Sequence, residues 1–378
     1  MTENNVQLPD EYDTIFHDLE PFWGIQPHDL HRIRDEMELI KDTYTLARTN
    51  GTKIDVVKYA FQDGSYEQLI RNSKPVLDLF RDIEEFLPPL RAVFSPHDAP
   101  TLLSDYGVKA AALRAAQSEL CTLVALLPSL NVSQLDARIL DIESGNLPKI
   151  NNTGWVSACP PSSPARRISI NLDAPPPPSS QKTFIHDHRS SMDPCLHPEL
   201  FYHHGQFVSH ELGPAPQREM VPLFSFCSTT VHHNIRIPTT YGWIEDLLPR
   251  ADDPDWNDKL EERLGWRGSN TGIWHANGTR WRQSHRNFLV SSANELNGTT
   301  RVLLPTKSGS DQVGAPKEMR NSRLNPAIFD IFFAGKPLAC EEAICRLLET
   351  MFTWKKRQGP AEAGNYKYIL DVGVWLLL

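Results

Sequence analysis

Proline occupies 30 of the 378 positions. Each one lacks a backbone N–H and fixes φ, which shortens every helix or strand it meets, so long loops between short elements are the first expectation. Four in succession, Pro175 to Pro178, sit in a Pro- and Ser-rich stretch from Pro160 to Gln181. That composition favours extended polyproline backbone and little core, and it reads as a long surface loop. A chain of this length exceeds the usual domain of about 100–200 residues, so two domains are expected. With 40% hydrophobic and 22% charged residues and a mean hydropathy of -0.40, both can be globular.

Between the prolines, Leu30, Ile33, Met37, Ile40 and Tyr44 recur at three- and four-residue spacing, which predicts an amphipathic helix over Pro27–Ala47. A second stripe covers Tyr66–Leu87, with Pro75 expected to end or kink it near Lys74. Arg91 to Phe94 then reads as a strand, and Ser95-Pro96-His97-Asp98-Ala99-Pro100 as a rigid polar turn. Helix, strand and loop in that order point to α/β units, with Asp98 just beyond a strand's carboxyl end, where open α/β sheets bind ligands. Met220 to Phe226 reads as a buried strand, and the acidic, proline-broken Pro249–Asn257 as a linker. The domains are therefore placed at 1–248 and 249–378.

A net charge of -9 gives no reason to expect nucleic-acid binding. No apolar run approaches the ~20 residues of a membrane span, and Met1–Asp10 lacks the pattern of a secretory signal. The six cysteines form no C-x-x-C pair and no disulfide-dense scaffold. Cys340 and Cys345 are close enough for a small-loop disulfide in an oxidising compartment, but connectivity stays open. Asn-x-Ser/Thr acceptors at Asn50, Asn131, Asn151, Asn277 and Asn297 favour a luminal setting over chance occurrence in a cytosolic protein.

Three sets of residues could carry chemistry. Leu264 to Gly272 (LGWRGSNTG) joins a small-residue turn to hydroxyls and an arginine, and a helical stretch from Trp281 to Leu296 follows. Amides, hydroxyls and Arg267, Arg282 and Arg286 could hold a diphosphate at a helix N-terminus. The spacing is neither a P-loop nor a dinucleotide fingerprint, and on spacing alone an ordinary glycine turn with surface arginines is the better account. His186, His188, His197, His203, His204, His210, His232 and His233 crowd the middle of the chain, but no zinc-ligand spacing is met, which leaves a His-rich metallohydrolase the weakest reading. Asp98 is a lone loop carboxylate, a turn former or cap unless it serves as a general base.

In order, Leu19-Glu20-Pro21-Phe22-Trp23, His97-Asp98-Ala99-Pro100, Cys195, His197-Pro198, His204-Gly205-Gln206-Phe207, Pro222 to Phe226, Trp266 to Gly272, Trp281 to Arg286, Phe329-Asp330 to Cys340 and Cys345, and Lys367 to Val372 resemble the capsule-associated glycosyltransferases of family 90. That family includes fungal capsule xylosyltransferases and animal protein O-glucosyltransferases. The resemblance implies an α/β chain of GT-B type, two Rossmann-like domains facing across a cleft. It implies inverting, metal-independent transfer of a xylose- or glucose-type sugar from a UDP-sugar donor to a glycan or protein hydroxyl, with no further cofactor. By position Asp98 matches the catalytic base, and Ser269, Thr271 and Arg286, with Arg267 beside them, match the donor-binding segment. An ER or Golgi lumen setting is implied as well.

Two departures stand out. Asn234 replaces the aspartate of the family's Asp-Ile pair, which puts a charge-dependent role there in doubt. After Asp371-Val372 the family continues Asp-Gly-Asn-x-Trp-Ser, whereas this sequence reads Gly373-Val374-Trp375-Leu376-Leu377-Leu378. The second domain is therefore expected to be incomplete. The competing expectation is a catalytically inactive, acceptor-binding remnant of the same family.

Overall fold

The computed structural model describes residues 17–28, 30–31, 45–49, 54–58, 78, 80–81, 83–95, 100, 102–118, 154–177, 187–208, 213–214, 216, 220–237, 252–305 and 313–372. Asp98 and the rest of 96–99 within the expected turn, Cys121, His186, His210, the acceptors at Asn50, Asn131 and Asn151, and Gly373–Leu378 lie outside them. The chain is α/β and divides into two units. The first comprises Met1–Phe201, His210–Leu247 and Trp375–Leu378, the second Tyr202–Ser209 and Leu248–Val374.

The first unit is built on five strands: β1 (Thr45–Thr49), β2 (Ile54–Lys58), β3 (Leu90–Phe94), β4 (Leu223–Ser225) and β5 (Ile235–Arg236), in the order β2-β1-β3-β4-β5. β1 runs antiparallel to both its neighbours, and β3, β4 and β5 are mutually parallel. The helical stripe expected to reach Ala47 is therefore wrong at its end. Thr45, Leu46 and Ala47 pair with Phe94, Val93 and Ala92, and ladder hydrogen bonds override the side-chain period. The second stripe likewise ends in a 3-10 turn, Glu84–Phe86, with Phe86 exposed.

Helix α1 (Tyr106–Gln117) starts where Asp105 accepts from the Gly107 N–H at 2.9 Å, satisfying one of the free amides of the first turn. Its Val108, Ala111, Ala112 and Ala115 form a buried stripe at helical spacing. Val108 and Ala112 join Phe22, Ile25, Met220 and Ile235 in one core cluster. The contact is close because Gly24 has no side chain: a Cβ there would lie 2.2 Å from the Ala112 carbonyl oxygen. The Pro160-rich segment carries one helical turn, Pro164–Arg167, yet buries Ala165, Ile170 and Leu172, and the Cys159–Cys195 disulfide ties its start to the chain ahead of β4.

The second unit holds a four-stranded parallel sheet, β6 (Glu261–Gly268), β9 (Phe329–Ala334), β10 (Trp354–Lys355) and β11 (Tyr366–Ile369), in the order β10-β9-β6-β11. Between β6 and β9 come α2 (His285–Asn294), an antiparallel ribbon of β7 (Thr299–Pro305) and β8 (Val313–Arg320), and α3 (Asn321–Ile328). Helix α4 (Glu342–Met351) links β9 to β10, and the short α5 (Pro360–Ala363) links β10 to β11. The core is aromatic and aliphatic: Trp266, Val290, Ala293, Ile331 and Phe333 cluster, with Trp354 stacked 5.0 Å from Phe333. A second disulfide joins Cys340 to Cys345. Among the described residues no helix is long and apolar enough to cross a membrane.

Candidate functional site

The order of the second sheet locates a site by itself. From β6 the chain moves to β9 and then β10 on one side, and returns to β11 on the other. At such a reversal the loops after the two neighbouring strands diverge and leave a crevice beyond their carboxyl ends. A cleft of about 410 Å³ occupies this place, lined by Gly265 to Ser269 and Thr271 from β6 and its loop, and by Tyr366 and Ile369 to Val372 from β11 and its extension. Gly265 permits the side-by-side packing, since a Cβ would sit 2.4 Å from the Tyr366 ring.

Arg286, from the first turn of α2, closes this cleft. It is 7% exposed, and its guanidinium donates to the Ser269 carbonyl at 3.0 Å, the Thr271 hydroxyl at 3.0 Å and the Val372 carbonyl at 2.7 Å. Its Nε is buried and has no partner among the described residues. Burial pulls its pKa down and the Asp371 carboxylate opposes this. The Ser269 and Thr271 hydroxyls are 2.8 Å apart. Ser269, Thr271 and Arg286 thus stand together on one wall, as donors around a buried cation in the first turn of a helix, a composition that suits a phosphate group.

Arg267 lines the same cleft but is committed elsewhere. Its guanidinium pairs with the Asp330 carboxylate at 2.8 Å and donates to the Asp330 and Trp266 carbonyls. Asp330 also accepts from Lys355 at 3.0 Å and from the Tyr366 hydroxyl. Burial disfavours the charged carboxyl, yet the bonds from Tyr366, Lys355 and Arg267 outweigh it and bring its pKa down to about 2. Arg282 stacks over Trp281 at 4.2 Å and does not line the cleft.

The residues that shape the loop are ones to which the sequence assigned no role at the site. Asn270, fully buried, donates to the Leu338 carbonyl at 2.6 Å and accepts from the Leu338 N–H at 2.8 Å, which pins the loop across the sheet end. Gly272, at φ 101, turns the chain, and Gly205 lies against its carbonyl, where a Cβ would come within 2.1 Å. The Gly205 N–H is bonded to His285, whose ring stacks on His204 at 5.1 Å. Burial, with His285 next to it, lowers the His204 pKa to about 3, so the ring is neutral at physiological pH. His275 donates from Nδ1 to the Ala339 carbonyl and accepts from Asn287 at Nε2, fixing the start of α2. The sequence carries Asn270 and Gly272 as members of the LGWRGSNTG run, His204 and Gly205 as members of His204 to Phe207, and His285 as a member of Trp281 to Arg286, with no sign of their roles.

In the first unit the backbone on both sides of 96–99 is anchored. The Ser95 N–H donates to the Phe224 carbonyl at 2.8 Å, and Leu102 to Ser104 are tied to 231–234 by the Leu102 N–H to Asn234 bond, the His233 N–H to Leu102 carbonyl bond and the Ser104 N–H to Val231 carbonyl bond. Asn234 is buried and uses its amide oxygen, a role that needs no charge. His232 and His233 are held neutral by burial and bonded to Thr229 and Ser104. Among the described residues no group of three His, Cys, Asp or Glu side chains converges as a metal site. Comparison with protein-family models, with curated proteins and with solved structures returns no match.

Proposed function

We propose that this chain is a glycosyltransferase of the family 90 type, moving a xylose- or glucose-type sugar from its UDP derivative to a hydroxyl of a glycan or protein. The observation that carries the reading is Arg286, a buried arginine with an unpartnered Nε beside two hydroxyls at the mouth of a sheet crevice. In a metal-independent transfer the bond from the anomeric carbon to the UDP oxygen breaks as the acceptor oxygen attacks from the opposite face. The charge that builds on the diphosphate needs donors fixed in advance, and Arg286, Ser269 and Thr271 are such a set. Asp98 accepts the acceptor's proton as the single base that inversion requires.

In this reading the second unit is the donor domain of a GT-B pair, the first contributes the base, and Arg267 supports the cleft through Asp330. We place the chain in the secretory pathway. The two disulfides and the exposed acceptors Asn277 and Asn297 support that placement.

The test is UDP release from UDP-xylose and UDP-glucose by wild type, Asp98→Asn and Arg286→Ala. The expected pattern is turnover in wild type, loss of turnover with retained UDP affinity in Asp98→Asn, and loss of both in Arg286→Ala. Normal turnover by Asp98→Asn would remove the base from the reading. UDP binding by wild type without turnover on any acceptor would favour the inactive relative.

A further inference from the structure

A second polar cavity lies wholly within the first unit. It has a volume of about 120 Å³ and is lined by side chains from the segment 17–21, from α1, from the turn His188–Ser191 and from 228–236. That volume suits several ordered waters or one small anion. Three cations face it: Lys109, Arg189 and Arg236.

The acids nearby, of which Asp18 and Glu20 also line the cavity, all accept hydrogen bonds. Asp18 holds Arg236 through its Nε at 2.5 Å, its Nη2 at 3.2 Å and its backbone N–H at 3.1 Å. Glu20 accepts from Gln117 at 3.3 Å, and Asp193 from the Cys195 N–H at 2.8 Å and the Thr230 hydroxyl at 3.0 Å. Among the described residues, Lys109 has no carboxylate within ion-pair distance, and its ammonium reaches only the Thr230 and His232 carbonyls, at 3.5 and 3.2 Å. Arg189 has neither an ion pair nor a hydrogen bond among them, and the buried Ser228 hydroxyl is likewise unbonded. Of the three histidines on the wall, His17, His232 and His233, the last two are held neutral by burial and add no charge.

We propose that Lys109, Arg189 and the Ser228 hydroxyl form a binding site for one small oxyanion group, a phosphate or a carboxylate. Two like charges on one wall repel, and an anion between them removes that repulsion while filling the vacant donors of an ammonium, a guanidinium and a hydroxyl. Burial and the Arg189 charge both work against the Lys109 ammonium, and Asp18 and Asp193 oppose them. The inference does not depend on the donor cleft of the second unit.

The experiment is calorimetric titration of the full chain with inorganic phosphate, sulfate and acetate at constant ionic strength, with chloride as the control. Saturable one-to-one binding is expected, weakened at least tenfold by Lys109→Met and by Arg189→Gln and retained by Lys109→Arg. Preference for phosphate and sulfate over acetate assigns the site to a phosphate-like group, and the reverse to a carboxylate. Arg189 is exposed and makes no bond among the described residues, so Arg189→Gln keeps the fold and decides the matter even if Lys109→Met does not fold. No saturable binding by wild type, or equal affinity in wild type and Arg189→Gln, would overturn the proposal.

Discussion

Replacing Asp330 with asparagine asks whether Arg267 is a structural cation or a ligand contact. The Asp330 side chain is 5% exposed and that of Arg267 7%, and Asp330 is the carboxylate paired with Arg267, while Asp330 itself also has the Tyr366 hydroxyl, Lys355 and, at 3.8 Å, Arg263. Asparagine keeps the size and an oxygen for Tyr366 but leaves the guanidinium uncompensated, and removing one partner of a buried pair costs about 3–5 kcal/mol. Lys355, 39% exposed, recovers solvation from water and adds little. We therefore expect Asp330→Asn to lose about 3 kcal/mol, Arg267→Met somewhat less, and the double variant about 1–2 kcal/mol less than the sum of the two. Urea unfolding at neutral pH, followed by tryptophan fluorescence, reads this, because Trp266 and Trp354 lie in the affected core. The carboxyl titrates at about 2, below its unfolded value of about 3.9, so its contribution is complete above the unfolded value and fades as pH falls through about 2. Additive losses, or an Arg267→Met variant of unchanged stability and lower UDP affinity, would refute the structural assignment.

Other outcomes follow from the same geometry. Asn270→Ala strands the Leu338 N–H and carbonyl and is expected to lower stability by about 2–4 kcal/mol and to weaken UDP binding, read by urea unfolding and calorimetry. The Cys159–Cys195 bridge closes a sequence separation of 36, for which the loop-entropy relation gives about 4 kcal/mol, so a Cys159→Ser/Cys195→Ser variant should melt well below wild type. Lys109, pulled down by burial and by Arg189 with Asp18 and Asp193 opposing, should titrate at about 8, below its unfolded ~10.4. Its burial penalty is present below that pH and is relieved as pH rises toward the unfolded value; lysine Cε NMR shifts with a midpoint near 10 would contradict this. Protein from a secretory host should carry glycans on Asn277 and Asn297, seen as a mass loss on enzymatic deglycosylation.

Legibility from sequence tracked how local each determinant is. The strand ending at Phe94 and the buried run from Met220 to Phe226 were readable because apolar side chains follow one another there. The stripe reaching Ala47 misled, because the pairing of Thr45 with Phe94 spans 49 residues and leaves no trace in the local period. The grouping of Ser269, Thr271 and Arg286 was visible as motif, whereas the diversion of Arg267 to Asp330, 63 residues away, was not. Tyr202–Ser209 joins the second unit through Gly205 and its contact with Gly272, again a long-range event. Lys109 stands in no motif of the sequence, and only the return of 228–236 beside α1 makes it part of a cavity wall.

The most direct measurement is calorimetric titration of UDP into the full chain, compared with Arg286→Ala. One-to-one micromolar binding is expected, weakened more than tenfold when the guanidinium is removed. Absence of binding by wild type, or equal affinity in the variant, would contradict the assignment of the β6–β11 crevice as a nucleotide-sugar site.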